Sequence, residues 1–328
     1  MPEKIVVIGS NSFSGASFMS FAQEKGFEVI GISRSPLPDP VFLPRGFSGK
    51  QMEFHQLDLN HDLDRIMSVI DSKKPEYVVN FAAQGMVAQS WEHPDHWFMT
   101  NVVSTVRLHD RLRHCGFLKK YVHVSTPEVY GSSEGYIQES TSYHPSTPYA
   151  VSRAAADMSL HTFFASYRFP VVFTRAANVY GPGQQLYRII PRTILFIKMK
   201  KKLPLHGGGT SERSFIHMQD VSDATLRIMR QALPGEIFHI ATKNSISIRN
   251  LVELICGLMN VRFEDHVEVA GERLGKDSAY LLDSTKVRKT FGWQDNMSLR
   301  EGVLTVRDWV EKNFDVLKQQ PIDYIHKP

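Results

Sequence analysis

Residues 4–15 read KIVVIGSNSFSG, Lys4 through Gly15. The apolar run ending at Ile8 predicts a short strand, and Gly9 permits the tight turn that follows it. A helix over residues 18–25, closed by Gly26, and a second strand over 28–33 come next. Strand, glycine-bearing turn, helix and strand are the opening of a dinucleotide fold. Gly15 permits close packing of that helix against the strand, and the helix N-terminus offers unpaired N–H groups to a pyrophosphate. Gly9, Ser12, Phe13, Ser14 and Gly15 are therefore the expected phosphate turn. Ser12 stands where such turns usually carry a second glycine. A side chain this small is expected to fit there and to hydrogen-bond the pyrophosphate.

The rest of the cofactor site follows from the same geometry. At the end of the second strand an NAD site usually carries an acidic residue for the ribose hydroxyls. This chain has Ser33 and Arg34 there, and an arginine fork suits a 2′-phosphate. The expectation is NADP, with NAD as the alternative. Residues 52–56 read as a third strand, followed by Asp58 and Leu59, where a carboxylate can hold the adenine amino group. Residues 77–80 are the fourth strand. Ala82, Ala83 and Gln84 follow it, and small residues let a cofactor cross the strand end.

A second cluster lies further on. Residues 121–124 read as the fifth strand and run into Ser125, Thr126 and Glu128, at the carboxyl edge where open α/β sheets place their ligands. Ser146 or Thr147 caps a helix that starts with Pro148 and continues to about Arg168. Tyr149 and Arg153 are four apart and share a face of it. A hydroxyl, a carboxylate, a phenol and a fixed cation can thus meet, and a cation beside a phenol favours phenolate. That set suits proton transfer with a sugar hydroxyl.

Further βα units, with strands at 171–174 and 237–240, imply a doubly wound parallel α/β (Rossmann) sheet with right-handed crossovers. After Tyr180 the pattern loosens into helices at 188–202, 247–259 and 299–314. We expect a dinucleotide domain of residues 1–178, 213–242 and 279–290. A smaller, discontinuous α/β substrate domain would hold 179–212, 243–278 and 291–328. A long helix over 91–115 carries Asn101 in its middle, a residue expected to tie it to neighbouring backbone.

Composition narrows the class. The chain has 328 residues, a formal net charge of +4 and two cysteines. That charge is mild, and the lysines of residues 198–202 read as a solvated helix end, so no nucleic-acid partner is expected. Cys115 and Cys256 look like buried thiols in a reducing, cytoplasmic setting. No apolar run reaches membrane length, and no signal peptide precedes the first strand. No HExxH or CxxC is present, and His206, His217 and His239 read as strand-end or core-edge residues, so no metal is expected.

GSNSFSG, FAAQ, HVSTPEVYG, YAVSR, TRAANVYGPGQ, GGGTSERSFIHMQDV and GERLGKDSAY occur in order along nearly the whole chain. In this the chain resembles the extended short-chain dehydrogenase/reductases, specifically nucleotide-sugar 4,6-dehydratases, epimerases and decarboxylases. The resemblance implies that Tyr149, aided by Thr126, takes the C4 hydroxyl proton while the nicotinamide takes hydride. It puts Arg153 where the family has a lysine, and Glu128 as the base that removes the C5 proton. Pro127 replaces the family aspartate that protonates the departing C6 hydroxyl, and proline can donate nothing. Tyr149 or a water would then supply that proton. The resemblance also puts Ser125, Thr126, Asn178, Arg188, Arg213, Asn244 and Arg273 at the nucleotide-sugar site, with Arg188 on a family lysine position. It implies a homodimer built from helices 91–115 and 149–168. Dehydratase chemistry is favoured. A 4-epimerase, a 5,6-dehydratase, a UDP-glucuronate decarboxylase and a catalytically weak nucleotide-sugar-binding protein are the alternatives.

Overall fold

The computed structural model describes residues 2–44, 47, 52–132, 135–271 and 281–328. Seven parallel strands form the main sheet: β1 Lys4–Ile8, β2 Glu28–Ser33, β3 Glu53–Gln56, β4 Tyr77–Asn80, β5 Lys120–Val124, β6 Val171–Ala176 and β7 Ile237–Ile240. Their order is β7-β6-β5-β4-β1-β2-β3. In register, Val6 of β1 lies between Ile30 of β2 and Val78 of β4. The winding reverses beside β1, so a crevice opens at the carboxyl ends of β1 and β4.

Both faces of the sheet are covered, as apolar runs without polar alternation require. Ile5 and Val7 point to a core under the helices Phe13–Glu24 and Met218–Gln231. Val6 and Ile8 point to the opposite core, under Leu63–Lys73, Thr105–Leu112 and Pro148–Tyr167. Burying each such side chain contributes about 1.5–3 kcal/mol relative to leaving it in water. A separate apolar core joins Ile190, Ile194, Leu251, Ile255, Val303 and Val306 from three further helices, Ile189–Lys198, Ile248–Leu258 and Leu299–Lys312. A parallel strand pair, Leu203–His206 with Val267–Ala270, lies beside it.

Three boundaries depart from the sequence reading, each for a local reason. The first helix begins at Phe13, because Ser12 caps it: its hydroxyl oxygen accepts the Gly15 N–H at 3.0 Å. The helix expected over 188–202 stops at Lys198, and residues 203–206 form a strand. The long helix expected over 91–115 after Pro94 does start at Pro94, but it ends at Leu112 and widens in between into a π-helical stretch, Met99–Ser104, before resuming at Thr105. Asn101 lies in that stretch and is fully buried. Its carbonyl accepts the Gln84 N–H at 2.8 Å, and its amide donates to Gln84 O at 3.1 Å and to Ser152 Oγ at 2.9 Å. The widened turn lets one side chain pin the end of β4 to the Pro148–Tyr167 helix.

Candidate active site

β5 delivers Thr126 to the carboxyl edge of the sheet. Thr126 caps a short 3₁₀ turn, Pro127–Tyr130, and its hydroxyl oxygen accepts the Glu128 N–H at 3.3 Å. Pro127 suits the first position of that turn, whose N–H would be unpaired in any case. Opposite, Thr147 caps the next helix through the Ala150 N–H at 3.1 Å, and Pro148 opens it. Tyr149 thereby enters the site from the first turn of that helix.

The four expected catalytic side chains do meet. Burial pushes the Tyr149 phenol up from its ordinary range, and the Glu128 carboxylate pushes the same way. Arg153, a hydrogen bond with Thr126 and the more distant Arg188 pull it back, and the net direction is up. A carboxylate, a hydroxyl and a guanidinium therefore all act on one phenol.

Arg153 is only 2% exposed. Its guanidinium donates to the Val124 carbonyl, and Nη2 lies 3.3 Å from His123 Nε2. Behind it sits a buried network that the sequence reading missed. His123 Nε2 lies 3.3 Å from Asp157 Oδ1. Asp157 Oδ2 accepts from Arg175 Nη2 at 2.7 Å and from the Ser125 hydroxyl at 2.8 Å. Burial raises the Asp157 carboxyl, but His123, Arg175 and Arg153 outweigh it and hold the group well below the usual carboxylate range. Burial pushes His123 down, so the network holds two arginines against one carboxylate. Ser125, expected at the substrate, spends its hydroxyl on Asp157. The signal for Asp157 was available: it follows Arg153 by four residues, on the same helix face as Tyr149.

The residues expected to hold a cofactor follow the strand ends that border the crevice. Gly9 has φ +81°, and a Cβ there would stand 2.5 Å from the Ala82 nitrogen, so the turn fits against β4 only as glycine. A Cβ on Gly15 would stand 2.3 Å from the Gly9 carbonyl oxygen. This close-packed turn at a helix N-terminus fits a dinucleotide pyrophosphate. Phe13 and Ser14 open the helix. Ser12 differs from expectation: its hydroxyl also donates to Gly9 O at 2.7 Å, so it serves the turn and the cap. The Ser33 carbonyl accepts the Leu57 N–H at 3.0 Å. Asp58 Oδ1 accepts the Asn60 N–H at 2.7 Å, fixing the loop that holds buried Leu59. Ala83 is exposed beside Gln84. Arg34, expected to face a 2′-phosphate, donates to the Lys327 carbonyl at 3.0 Å and to the Pro328 main-chain oxygen.

On the substrate side, Arg188 precedes the Ile189–Lys198 helix with its guanidinium 5.4 Å from the Tyr187 ring centre. Asn178 begins a short strand paired with Phe215–His217. Arg213 Nη1 donates to Glu212 O at 2.7 Å, and the Asn244 carbonyl accepts the Thr242 hydroxyl at 3.0 Å. Arg273 lies outside the described residues. Among the described residues no group of His, Cys, Asp and Glu could hold a metal ion, and no helix is long and apolar enough to cross a membrane.

A profile of the family described as GDP-mannose 4,6 dehydratase matches residues 6–306. The dTDP-D-glucose 4,6-dehydratase of Homo sapiens is 32% identical over 252 residues, which are 75% of this chain and 71% of that protein. A trifunctional UDP-glucose 4,6-dehydratase/3,5-epimerase/reductase of Arabidopsis thaliana is 29% identical over 275 residues, and the match spans 41% of its length. The crystal structure of a dTDP-glucose 4,6-dehydratase from Streptomyces venezuelae with NAD bound superposes with a TM-score of 0.88 at 27% identity, covering 95% of this chain and 98% of the other.

Proposed function

The chain belongs to the GDP-mannose 4,6-dehydratase family, and on that premise we propose that it is an NAD-dependent nucleotide-sugar 4,6-dehydratase. The observation that carries this reading is the convergence of Thr126, Glu128 and Arg153 on the Tyr149 phenol at the carboxyl edge of a dinucleotide sheet. Gly9, Gly15, Ala82 and Ala83 would hold the dinucleotide. Bound NAD would accept hydride from C4 of the sugar and return it at C6. The solved relative from Streptomyces venezuelae carries NAD, and here Arg34 is already paired with main-chain oxygens, so NAD is favoured over NADP.

The chain's own groups divide the proton work. Tyr149 takes the C4 hydroxyl proton, with Thr126 fixing its oxygen. A ketone at C4 acidifies C5, and Glu128 takes that proton. Pro127 cannot protonate the departing C6 hydroxyl. Glu128 has just gained a proton and sits beside the same carbons, so it passes that proton on as the C6–O bond breaks. Reprotonation at C5 then draws a solvent proton through the same carboxyl. Arg188, Arg213, Asn178 and Asn244 would bind the nucleotide diphosphate, where arginine forks match phosphate oxygens.

A homodimer fits the surface. Phe98, Met99 and Val103 on one helical segment, Trp91 in the turn before it, and Val151 and Met158 on another helix are exposed large apolar side chains, and a groove there includes Trp91, Phe98 and Val151. A contiguous patch of this kind marks an interaction surface. Action in the cytoplasm fits the two free thiols, Cys115 and Cys256.

The test is incubation with UDP-, dTDP-, GDP- and CDP-hexoses and with UDP-glucuronate, followed by mass and NMR analysis. Loss of water to a 4-keto-6-deoxy sugar is expected. Pro127 is the one feature that favours a 4-epimerase, and a product of unchanged mass would establish that reading instead.

A further inference from the structure

Arg34 and Gln84 stand at the carboxyl ends of two strands that border the dinucleotide crevice, yet both are bound by the chain's own last residues. Arg34 donates from both terminal guanidinium nitrogens, to the Lys327 carbonyl and to the Pro328 main-chain oxygen. Gln84 Nε2 donates to the same Lys327 oxygen at 2.7 Å. The neighbouring residue is seated by rings. His326 stacks on Trp97 at 5.1 Å, on His96 at 5.1 Å and on His93 at 5.3 Å, all within 14° of parallel. Its Nε2 is 2.8 Å from His96 Nδ1, and its Nδ1 is 3.3 Å from the Tyr324 hydroxyl. The segment is tethered at its other side by Arg192, which holds Ile322 O at 3.2 Å and Asp323 Oδ1 at 3.0 Å, and by Tyr324 against Tyr187.

We propose that residues 324–328 are a cofactor-specificity element that binds Arg34 and so denies a 2′-phosphate its counter-charge. The proposal rests on the dinucleotide reading above and extends it to the choice between NAD and NADP. Among the described residues, the second-strand arginine is the feature of this site that suits NADP, since a planar fork pairs two phosphate oxygens. Here the fork is taken up by two main-chain oxygens. NAD, with only hydroxyls on its adenosine ribose, loses little by this; NADP loses its main cationic partner. The oxygens that hold Arg34 are main-chain atoms, so they stay in place only because the His326 and Tyr324 rings seat the segment. Removing the rings frees Arg34 without touching it.

The test uses the full-length chain and reads binding alone. NAD and NADP are titrated into the wild type, into His326→Ala, and into a chain whose residues 324–328 are replaced by a Gly/Ser run of equal length. Wild type should prefer NAD. The Gly/Ser chain should shift the NADP-to-NAD affinity ratio at least tenfold toward NADP, and His326→Ala should shift it in the same direction by less. Adding Arg34→Ala to the Gly/Ser chain should abolish the shift. An unchanged ratio in both segment variants, or a shift that survives Arg34→Ala, overturns the proposal. Failure of every form to bind either dinucleotide overturns the dinucleotide reading itself.

Discussion

Replacing Arg153 by methionine keeps an unbranched side chain and removes the charge and the donors. The Val124 carbonyl loses a buried hydrogen-bond partner, at a cost of about 1–3 kcal/mol of stability. The larger consequence is for Tyr149. Burial and Glu128 push its phenol up, and Arg153 is the first of the groups that pull it back. A neighbouring opposite charge shifts a pKa by roughly 1–3 units. Arg153 is buried, so water screens it little, but Asp157 lies just beyond His123 and offsets part of its field. Removing Arg153 therefore takes away a pull toward phenolate and moves the Tyr149 phenol further up. Tyr149 works deprotonated, so a higher pKa moves the ascending limb of the kcat–pH profile to higher pH. Below that limb the variant should be slower than the wild type, and it should recover as pH rises. Arg153→Lys retains the charge and should leave the limb nearly in place. The assay is kcat against pH, with thermal unfolding to establish that both variants fold. A folded Arg153→Met enzyme with an unmoved limb would refute the electrostatic role.

Gly9→Ala should weaken NAD binding at least tenfold in a direct titration, since its Cβ would lie 2.5 Å from the Ala82 nitrogen at φ +81°; backbone strain alone costs on the order of 1–3 kcal/mol. Asp157→Asn should cost about 3–5 kcal/mol in urea unfolding at neutral pH, because it leaves the buried Arg175 charge without its counter-ion. The folded Asp157 pKa is depressed, so its stabilisation is present above the ordinary carboxylate pKa and is lost as pH falls through the folded value. The wild-type and Asp157→Asn stabilities should therefore converge in strong acid and diverge as pH rises.

The sheet was legible because its strands are short apolar runs ending in glycine, alanine or polar residues, as at Val6–Gly9 and Val78–Ala83. Tyr149, Thr126, Glu128 and Arg153 were legible because helix and strand-end geometry fixes where such residues point. Ser12 shows how local pattern leaves a role open: a residue that fits a phosphate turn also fits a helix N-cap, and its side chain serves the cap. The π-helical stretch at Asn101 was beyond reach: only its partners Gln84 and Ser152, distant in sequence, make it pay. The same holds for Arg34, whose partners lie at the other end of the chain. Local pattern shows which residues can bind a phosphate; it does not show that a remote segment has bound them first.

The central claim is that Glu128 moves the C5 proton during loss of water from a nucleotide hexose. The most direct measurement is turnover of the accepted hexose in deuterated water by the wild type and by Glu128→Gln, read by NMR, mass and nicotinamide absorbance. The wild type should give a 4-keto-6-deoxy product with deuterium at C5. Glu128→Gln should lose no water, while hydride transfer from C4 continues and reduced nicotinamide accumulates. An unlabelled product of unchanged mass, formed as fast by Glu128→Gln as by the wild type, would contradict the account.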